Sequence, residues 1–112
     1  MKDKSKLLSR AALEIVASRF RALSDASRLQ IVQYLFKQEH SVQELCQLTG
    51  MNQANVSKHL SVLAEQGIVR KRRQGLFVFY GIGDNSIYEL CDIVCGAVGK
   101  RYGQVMKEFS ER

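Results

Sequence analysis

The feature that most constrains how this chain can fold is a change of hydrophobic period at Gly67. Before that glycine, two short segments of helical period meet at Gly50, and glycine commonly ends a helix. After Gly67, aromatic and β-branched residues predict strands over 68–72 and 76–80, with the turn at Arg73-Gln74-Gly75. Two short helices joined at a glycine and followed by a β-hairpin indicate a winged helix-turn-helix arrangement.

Helical patterns also flank this central unit, and residues 6–23 carry the first of them. The candidate N-cap residues along the chain are Ser24 or Asp25, Ser41, Asn52 and Asp84. The last helix has an apolar stripe of Ile87, Leu90, Cys91, Val94, Val98, Tyr102, Val105 and Phe109. A small domain rarely needs a stripe of about six turns for itself, so part of it is expected to face another subunit. The sequence predicts one mainly α domain over residues 1–112, in the order α-α-α-α-β-β-α.

The charge and composition of the chain indicate which kinds of partner it can bind. Seventeen Lys and Arg against eleven Asp and Glu give a net charge of +6, which favours an anionic partner such as nucleic acid, although a solvated basic surface is the alternative.

No apolar run approaches the roughly 18 residues of a membrane span, and no signal-peptide core follows the N-terminus, so we expect a cytoplasmic protein. The three cysteines are an odd number, and we expect them to be thiols at rest.

The helix that starts after Asn52 is the candidate reading head. With Val56, Leu60 and Leu63 turned inward, the opposite face is uncharged-polar and rich in amides. Its candidate DNA-contacting residues are Gln53, Asn55, Ser57, Lys58 and Ser61. Asn and Gln can bond adenine, and Lys favours guanine or phosphate. A solvated helix face is the alternative, but such faces often carry Glu–Lys pairs that are missing here. His59 lies toward the core, which favours a structural role.

The outgoing strand and the tip of the hairpin carry Arg70-Lys71-Arg72-Arg73, with Gln74 beside them. Side chains alternate between the faces of a strand, so about two of the four cations point each way. A basic wing beside a recognition helix can contact the DNA backbone or the minor groove. The run predicts DNA binding that weakens steeply with salt, whereas simple solvent exposure is the alternative.

Several segments together resemble the ArsR/SmtB family of bacterial repressors. These are the segment 20–31 (FRALSDASRLQI), Ser41-Val42-Gln43-Glu44-Leu45, the helix 53–60 with Val56-Ser57-Lys58-His59-Leu60, and the wing residues 67–69, 72–75 and 78–80. Ala26 replaces the usual proline of the first motif. The resemblance implies a homodimer built mainly from the first and last helices. It also implies binding to an imperfect palindrome in double-stranded DNA at a promoter and release by a small inducer.

Two metal sites known in that family can be compared with this chain. The arsenic-type site needs cysteines where Ser41 and Gln43 stand, and only Cys46 falls at a cysteine position. The zinc-type site needs an Asp, two His and a further His or Glu. Asp84 fits that set, but the other positions hold Ser86, Ala97 and Lys100. The resemblance therefore leaves the inducer open.

Cys91 and Cys95 are the remaining sensor candidates, with Cys46 as a further thiol. Four residues apart on a helix, their positions differ by about 6 Å along the axis. Two thiolates could share a soft ion such as As(III), Cu(I) or Cd(II) with a third ligand from elsewhere. They could instead respond to an oxidant or to reactive sulfur, and a strained disulfide between them could act as a switch. The sequence does not separate these inducers from a metal. The alternative is plain packing, because free cysteine behaves as a small buried hydrophobe.

Three glycines of the last helix, Gly96, Gly99 and Gly103, fall opposite its apolar stripe. We expect close packing of a second helix there, at a dimer contact, with a locally loosened helix as the alternative.

Three other classes of function can be compared with a thiol-sensing repressor. A winged-helix regulator without thiol sensing, and a winged-helix module that binds protein or RNA, are both alternatives. An enzyme is not expected. His40 and His59 lie in separate elements, no carboxylate pair has a plausible cleft, and no glycine-rich phosphate loop is present.

Overall fold

The computed structural model describes residues 5–103 and 107–110. The helices are α1 (Arg10–Leu23), α2 (Ala26–Lys37), α3 (Val42–Thr49), α4 (Gln53–Glu65), α5 (Ser86–Tyr102) and α6 (Lys107–Ser110), and the strands are β1 (Val69–Gln74) and β2 (Phe77–Ile82). The antiparallel strands form a hairpin behind α4. The mainly α, winged helix-turn-helix fold is confirmed. Among these residues, no helix is both long and apolar enough to span a membrane.

Side-chain caps begin the central helices where the sequence predicts them. The carboxylate of Asp25 accepts a hydrogen bond from the Arg28 amide, and Asn52 Oδ1 accepts one from the Asn55 amide at 2.8 Å. Ser41 and Glu44 form a reciprocal capping box at the start of α3. Ser24, the alternative cap for α2, instead ends α1. These caps satisfy amides that have no partner inside a helix.

The hairpin turn lies one residue later than predicted. Gln74 pairs with Phe77, so the loop consists of Gly75 and Leu76 alone. Gly75 has φ of +61° and Leu76 has no positive φ, a combination typical of a type II′ turn, whose twist matches that of the strands. Strand β1 therefore extends through Gln74, and β2 extends to Ile82. His40 adds a short bridge to this sheet through two backbone hydrogen bonds with Tyr80.

The core lies where α2, α3 and α4 meet the base of the hairpin and the start of α5. Its largest fully buried side chains are Ile31, Val32, Leu45, Val56, Leu60, Leu63, Ile68 and Ile87. In α5 only Ile87 is buried, and that helix ends at Tyr102, earlier than predicted. Of the predicted stripe, Val105 lies outside the described residues.

Asp84 does not occupy the N-cap position of α5, as the sequence analysis expected. That position belongs to Asn85, whose side chain makes no capping bond. Asp84 lies one residue earlier, and its carboxylate accepts a hydrogen bond from the Ser86 amide at 2.9 Å. The carboxylate therefore still lies at the positive end of the helix, where the dipole favours it.

Candidate nucleic-acid interface

Helix α4 separates its core face from its polar face as the sequence predicts. Val56, Leu60 and Leu63 are at most 1% exposed. The candidate DNA-contacting side chains lie away from them. Gln53, Asn55, Lys58 and Ser61 are exposed, and Ser57 is half-buried. The Asn52 cap fixes the first turn of α4, from which Gln53 and Asn55 project. The helix therefore presents amides and one cation on a surface supported by a packed stripe.

Arg28, which the sequence indicates only as part of a motif, contacts both the end of α1 and helix α4. Its guanidinium donates to the carbonyl of Ala22 at 2.7 Å and to that of Arg21 at 3.2 Å. It also lies 3.3 Å from Nδ1 of His59 on α4. Arg28 thus connects the end of α1 to the recognition helix. The contact supports the structural role predicted for His59.

A second arginine, Arg19, connects α1 to the other end of α4. It donates to the carbonyl of Gln66, which caps α4, at 2.6 Å and forms an ion pair with Asp84. Hydrogen bonds from Ser86, and secondarily the Arg19 charge, hold the pKa of Asp84 below its usual range. The sequence analysis missed Arg19, because no local pattern connects residues 47 and 65 positions apart.

The four cations of the wing separate into two pairs. Strand alternation and the register place Lys71 and Arg73 on one face and Arg70 and Arg72 on the other. Arg70 Nη1 lies 2.8 Å from Oε2 of Glu39, and Arg72 Nη2 lies 2.9 Å from Oε1. These hydrogen bonds lower the pKa of Glu39, the larger effect coming from Arg72.

Lys71 and Arg73 are exposed and form no ion pair within the described parts of the chain. Gln74 is also exposed, and its side-chain oxygen accepts a hydrogen bond from Arg72 at 2.8 Å. The wing therefore presents Lys71 and Arg73 as its free charges. Glu39, which sets this division, has no local signal in the sequence, because it lies 31 residues before Arg70.

Two of the three cysteines share one cavity. Cys91 and Cys95 line an apolar hollow of about 380 Å³ between α5, the end of α1 and α2, and its other lining side chains include Phe20, Leu29 and Val32. Both thiols are half-buried. Cys46 does not line this cavity, since it packs against the core from α3. In residues 5–103 and 107–110, no group of three His, Cys, Asp or Glu side chains could hold a metal ion.

The chain is similar to known bacterial regulatory proteins. Residues 25–71 match the family described as bacterial regulatory protein, arsR family. A "Probable mercury resistance operon repressor" of Streptomyces lividans is 38% identical over 71 residues, which are 63% of this chain and 57% of that protein. The nodulation protein NolR of Rhizobium meliloti is 31% identical over 99 residues, which are 88% of this chain and 78% of NolR.

A solved structure from Mycobacterium bovis, described as a homodimeric winged helix-turn-helix DNA-binding domain, superposes with a TM-score of 0.79. It is 28% identical and covers 93% of this chain and 97% of its own. The chain spans 57 to 58% of the length of three curated relatives, the Streptomyces protein among them. The NolR match, at this identity and coverage, agrees with the motifs in 20–31 and 53–60. The chain belongs to the ArsR family of bacterial regulatory proteins.

Proposed function

We propose that this chain is a transcriptional repressor that binds an imperfect palindromic operator in double-stranded DNA as a homodimer. The observation that carries the proposal is the opening turn of α4. It exposes Gln53, Asn55 and Lys58 above a fully buried stripe, on the helix that precedes a wing with free cations. Family membership and the net charge of +6 support it. None of the three matches described above is named as an enzyme.

The exposed face of α4 and the wing suit different tasks in DNA binding. Asn and Gln side chains can make paired hydrogen bonds to an adenine edge in the major groove, which carries sequence information. Lys71 and Arg73 suit phosphate contacts, which supply affinity but little sequence preference. We therefore assign base reading to Gln53 and Asn55, with Ser57, Lys58 and Ser61 at their edge, and backbone contact to the wing.

Dimerisation is supported by apolar side chains that one chain leaves uncovered on α1 and α5. They are Leu13, Ile15, Val16 and Phe20 on α1, and Tyr88, Ile93, Val94 and Tyr102 on α5, each at least 41% exposed. Of these, Phe20 of α1 and Val94 of α5 line the same hollow, and soluble monomers rarely leave large apolar patches in water. A second copy related by a two-fold axis would cover this surface. The axis would also place the two α4 helices on half-sites about one helical turn apart.

The experiment is a selection of bound duplexes from a random library, followed by affinity measurements on the selected site. Asn55→Ala and Gln53→Ala are expected to relax base preference and cost about 1–3 kcal/mol each on that site. Gln30→Ala, which removes an exposed amide from α2, is the matched control and should change nothing. Salt-sensitive binding without sequence preference, unaffected by Asn55→Ala, would contradict the proposal and favour a non-specific nucleic-acid module.

We further propose that the Cys91 and Cys95 thiols control release from DNA. The specific support is that both line the same cavity beside α1 and α2, while Cys46 does not. A soft ion bound by these thiols would need its third ligand from outside the described part of one chain. Oxidation needs none, since peroxide takes two electrons and two protons from the thiols, forming one disulfide and two waters. The two routes predict different releasing reagents, which the experiment below separates.

The test compares operator binding before and after diamide, peroxide or As(III). We expect release by oxidant that is lost in both Cys91→Ser and Cys95→Ser and kept in the control Cys46→Ser. Release by oxidant in the Cys91→Ser, Cys95→Ser double variant would contradict thiol control, as would binding that no treatment changes. Counting thiols by mass before and after each treatment identifies which reagent has reacted.

A further inference from the structure

The carboxylate of Glu39 lies in the loop between α2 and α3 but bonds two arginines of the wing. Arg70 Nη1 donates to Oε2 at 2.8 Å, and Arg72 Nε donates to Oε1 at 3.0 Å. We propose that Glu39 is a positioning residue that withholds Arg70 and Arg72 from DNA and so limits sequence-independent affinity. The inference rests on the proposed DNA-binding function. It assigns phosphate contact in the wing to Lys71 and Arg73.

One of the two arginines, Arg72, has further contacts on the same face of the hairpin. The Arg72 guanidinium carbon lies 5.0 Å from the centre of the Phe79 ring, and Arg72 Nη1 donates to Oε1 of Gln74. A cation over a ring face and a carboxylate that accepts from it both favour one side-chain position. Arg72 therefore has partners on three sides, and binding a phosphate would require giving some of them up.

Gly81 leaves the space that the Glu39 carboxylate occupies. It lies opposite Arg70 in the hairpin register. A Cβ at Gly81 would lie 3.1 Å from Cγ and 3.3 Å from Oε2 of Glu39, closer than most Cβ contacts. Its φ is not in the left-handed region, so backbone conformation does not require glycine here. The missing side chain instead allows the loop carboxylate to reach the strand.

The consequence follows from how cations contribute to DNA affinity. Each phosphate that a cation neutralises releases counterions, which is why affinity falls with salt. An arginine already paired with a carboxylate has to exchange one anion for another, so its net contribution is smaller. The pKa of Glu39 is lowered by the same hydrogen bonds, so the carboxylate stays charged at neutral pH. Limiting sequence-independent binding matters because non-specific sites in a genome greatly outnumber operators.

The test is the salt dependence of binding to a random-sequence duplex, compared between the wild type and Glu39→Gln. Freeing both arginines adds about two phosphate contacts, which steepens the slope of log K against log salt by about 1.8. Between 50 and 200 mM salt, that is about a 12-fold larger loss of affinity. Glu89→Gln is the matched control, because Glu89 lines a second hollow, together with Glu39 and Arg70, and forms no ion pair in the described residues. It removes the same charge and should leave the slope unchanged.

Three further variants separate the position of the Glu39 carboxylate from its charge. Gly81→Ala crowds Cγ and Oε2 of Glu39 by a few tenths of an ångström without changing any charge, and it should steepen the slope in the same direction, by a smaller amount. In the wild type, Arg70→Gln with Arg72→Gln should change the slope by less than Lys71→Gln with Arg73→Gln, which should make it about 1.8 shallower. Thermal unfolding of every variant checks that it folds.

Three results would overturn the inference. They are an unchanged slope in Glu39→Gln, an equal change in Glu89→Gln, and a loss of about 1.8 in the Arg70 and Arg72 double variant. Failure of the proposed function is distinguishable, because it shows as an absence of sequence preference in the wild type while the slopes on random duplex remain measurable. If neither wild type nor Glu39→Gln binds any duplex at low salt, both proposals are wrong.

Discussion

Arg28→Met is the change that most directly tests how α4 is positioned. The side chain is 18% exposed and lies between three elements. It donates to the Ala22 and Arg21 carbonyls at the end of α1, lies 3.3 Å from His59 on α4, and lies 3.9 Å from the Asp25 carboxylate that caps α2. Methionine retains much of the side-chain volume but removes every donor. The substitution therefore tests the hydrogen bonds rather than the packing.

The expected loss can be derived from these contacts. A hydrogen bond from a charged donor contributes about 1.5–3 kcal/mol, and less where water can replace the donor. The carbonyl of Ala22 belongs to a buried residue, whereas the Arg21 carbonyl has better access to water. Counting the Ala22 and His59 contacts as the main ones, we expect about 2–3 kcal/mol in the free energy of unfolding. For a chain of this size that corresponds to a drop in Tm of roughly 10–20 °C.

The assay is thermal unfolding followed by far-ultraviolet circular dichroism at a fixed protein concentration, because dimerisation would make Tm depend on concentration. Arg10→Met is the matched control. Arg10 is also paired with a carboxylate, Glu14, but at a side-chain exposure of 88%, so the change should cost at most about 0.5 kcal/mol. Equal Tm values for Arg28→Met and Arg10→Met would refute the argument that Arg28 connects α1 to α4.

Four further predictions concern single residues. Asn52→Ala removes the cap of α4 and should cost about 1 kcal/mol in a denaturant titration. Gly83→Ala would place a Cβ 2.8 Å from the Gly67 carbonyl oxygen and should cost about 1–3 kcal/mol. Gly96→Ala, which meets nothing within 4 Å in one chain, should add about 0.5–1 kcal/mol, and a loss would indicate a second copy packed there. The lowered pKa of Asp84 contributes stability above its unfolded value near 3.8 that is lost as pH falls through the folded pKa. Asp84→Asn should therefore flatten an acid titration of stability below about pH 5, and an unchanged profile would contradict this.

The features that the sequence alone determined are those whose physical cause is local. Asp25, Ser41 and Asn52 cap their helices because each side chain reaches an amide three residues later. The core face of α4 follows from the helical period of Val56 and Leu60. The hairpin turn was placed one residue too early, because the strand register depends on pairing with the partner strand and not on turn residues alone.

Only the tertiary structure decided which charges of the wing are free and how α4 is fixed. Four consecutive cations look equivalent in the sequence, yet Glu39, 31 residues before Arg70, binds two of them. Arg28 and His59 are likewise 31 residues apart. Such contacts depend on how α1, α2 and α4 pack around a shared core, and that packing is the sum of many burial terms spread along the chain. The hydrophobic period of a single segment does not show how distant segments pack together. The partners of these charges could therefore be identified only in the folded chain.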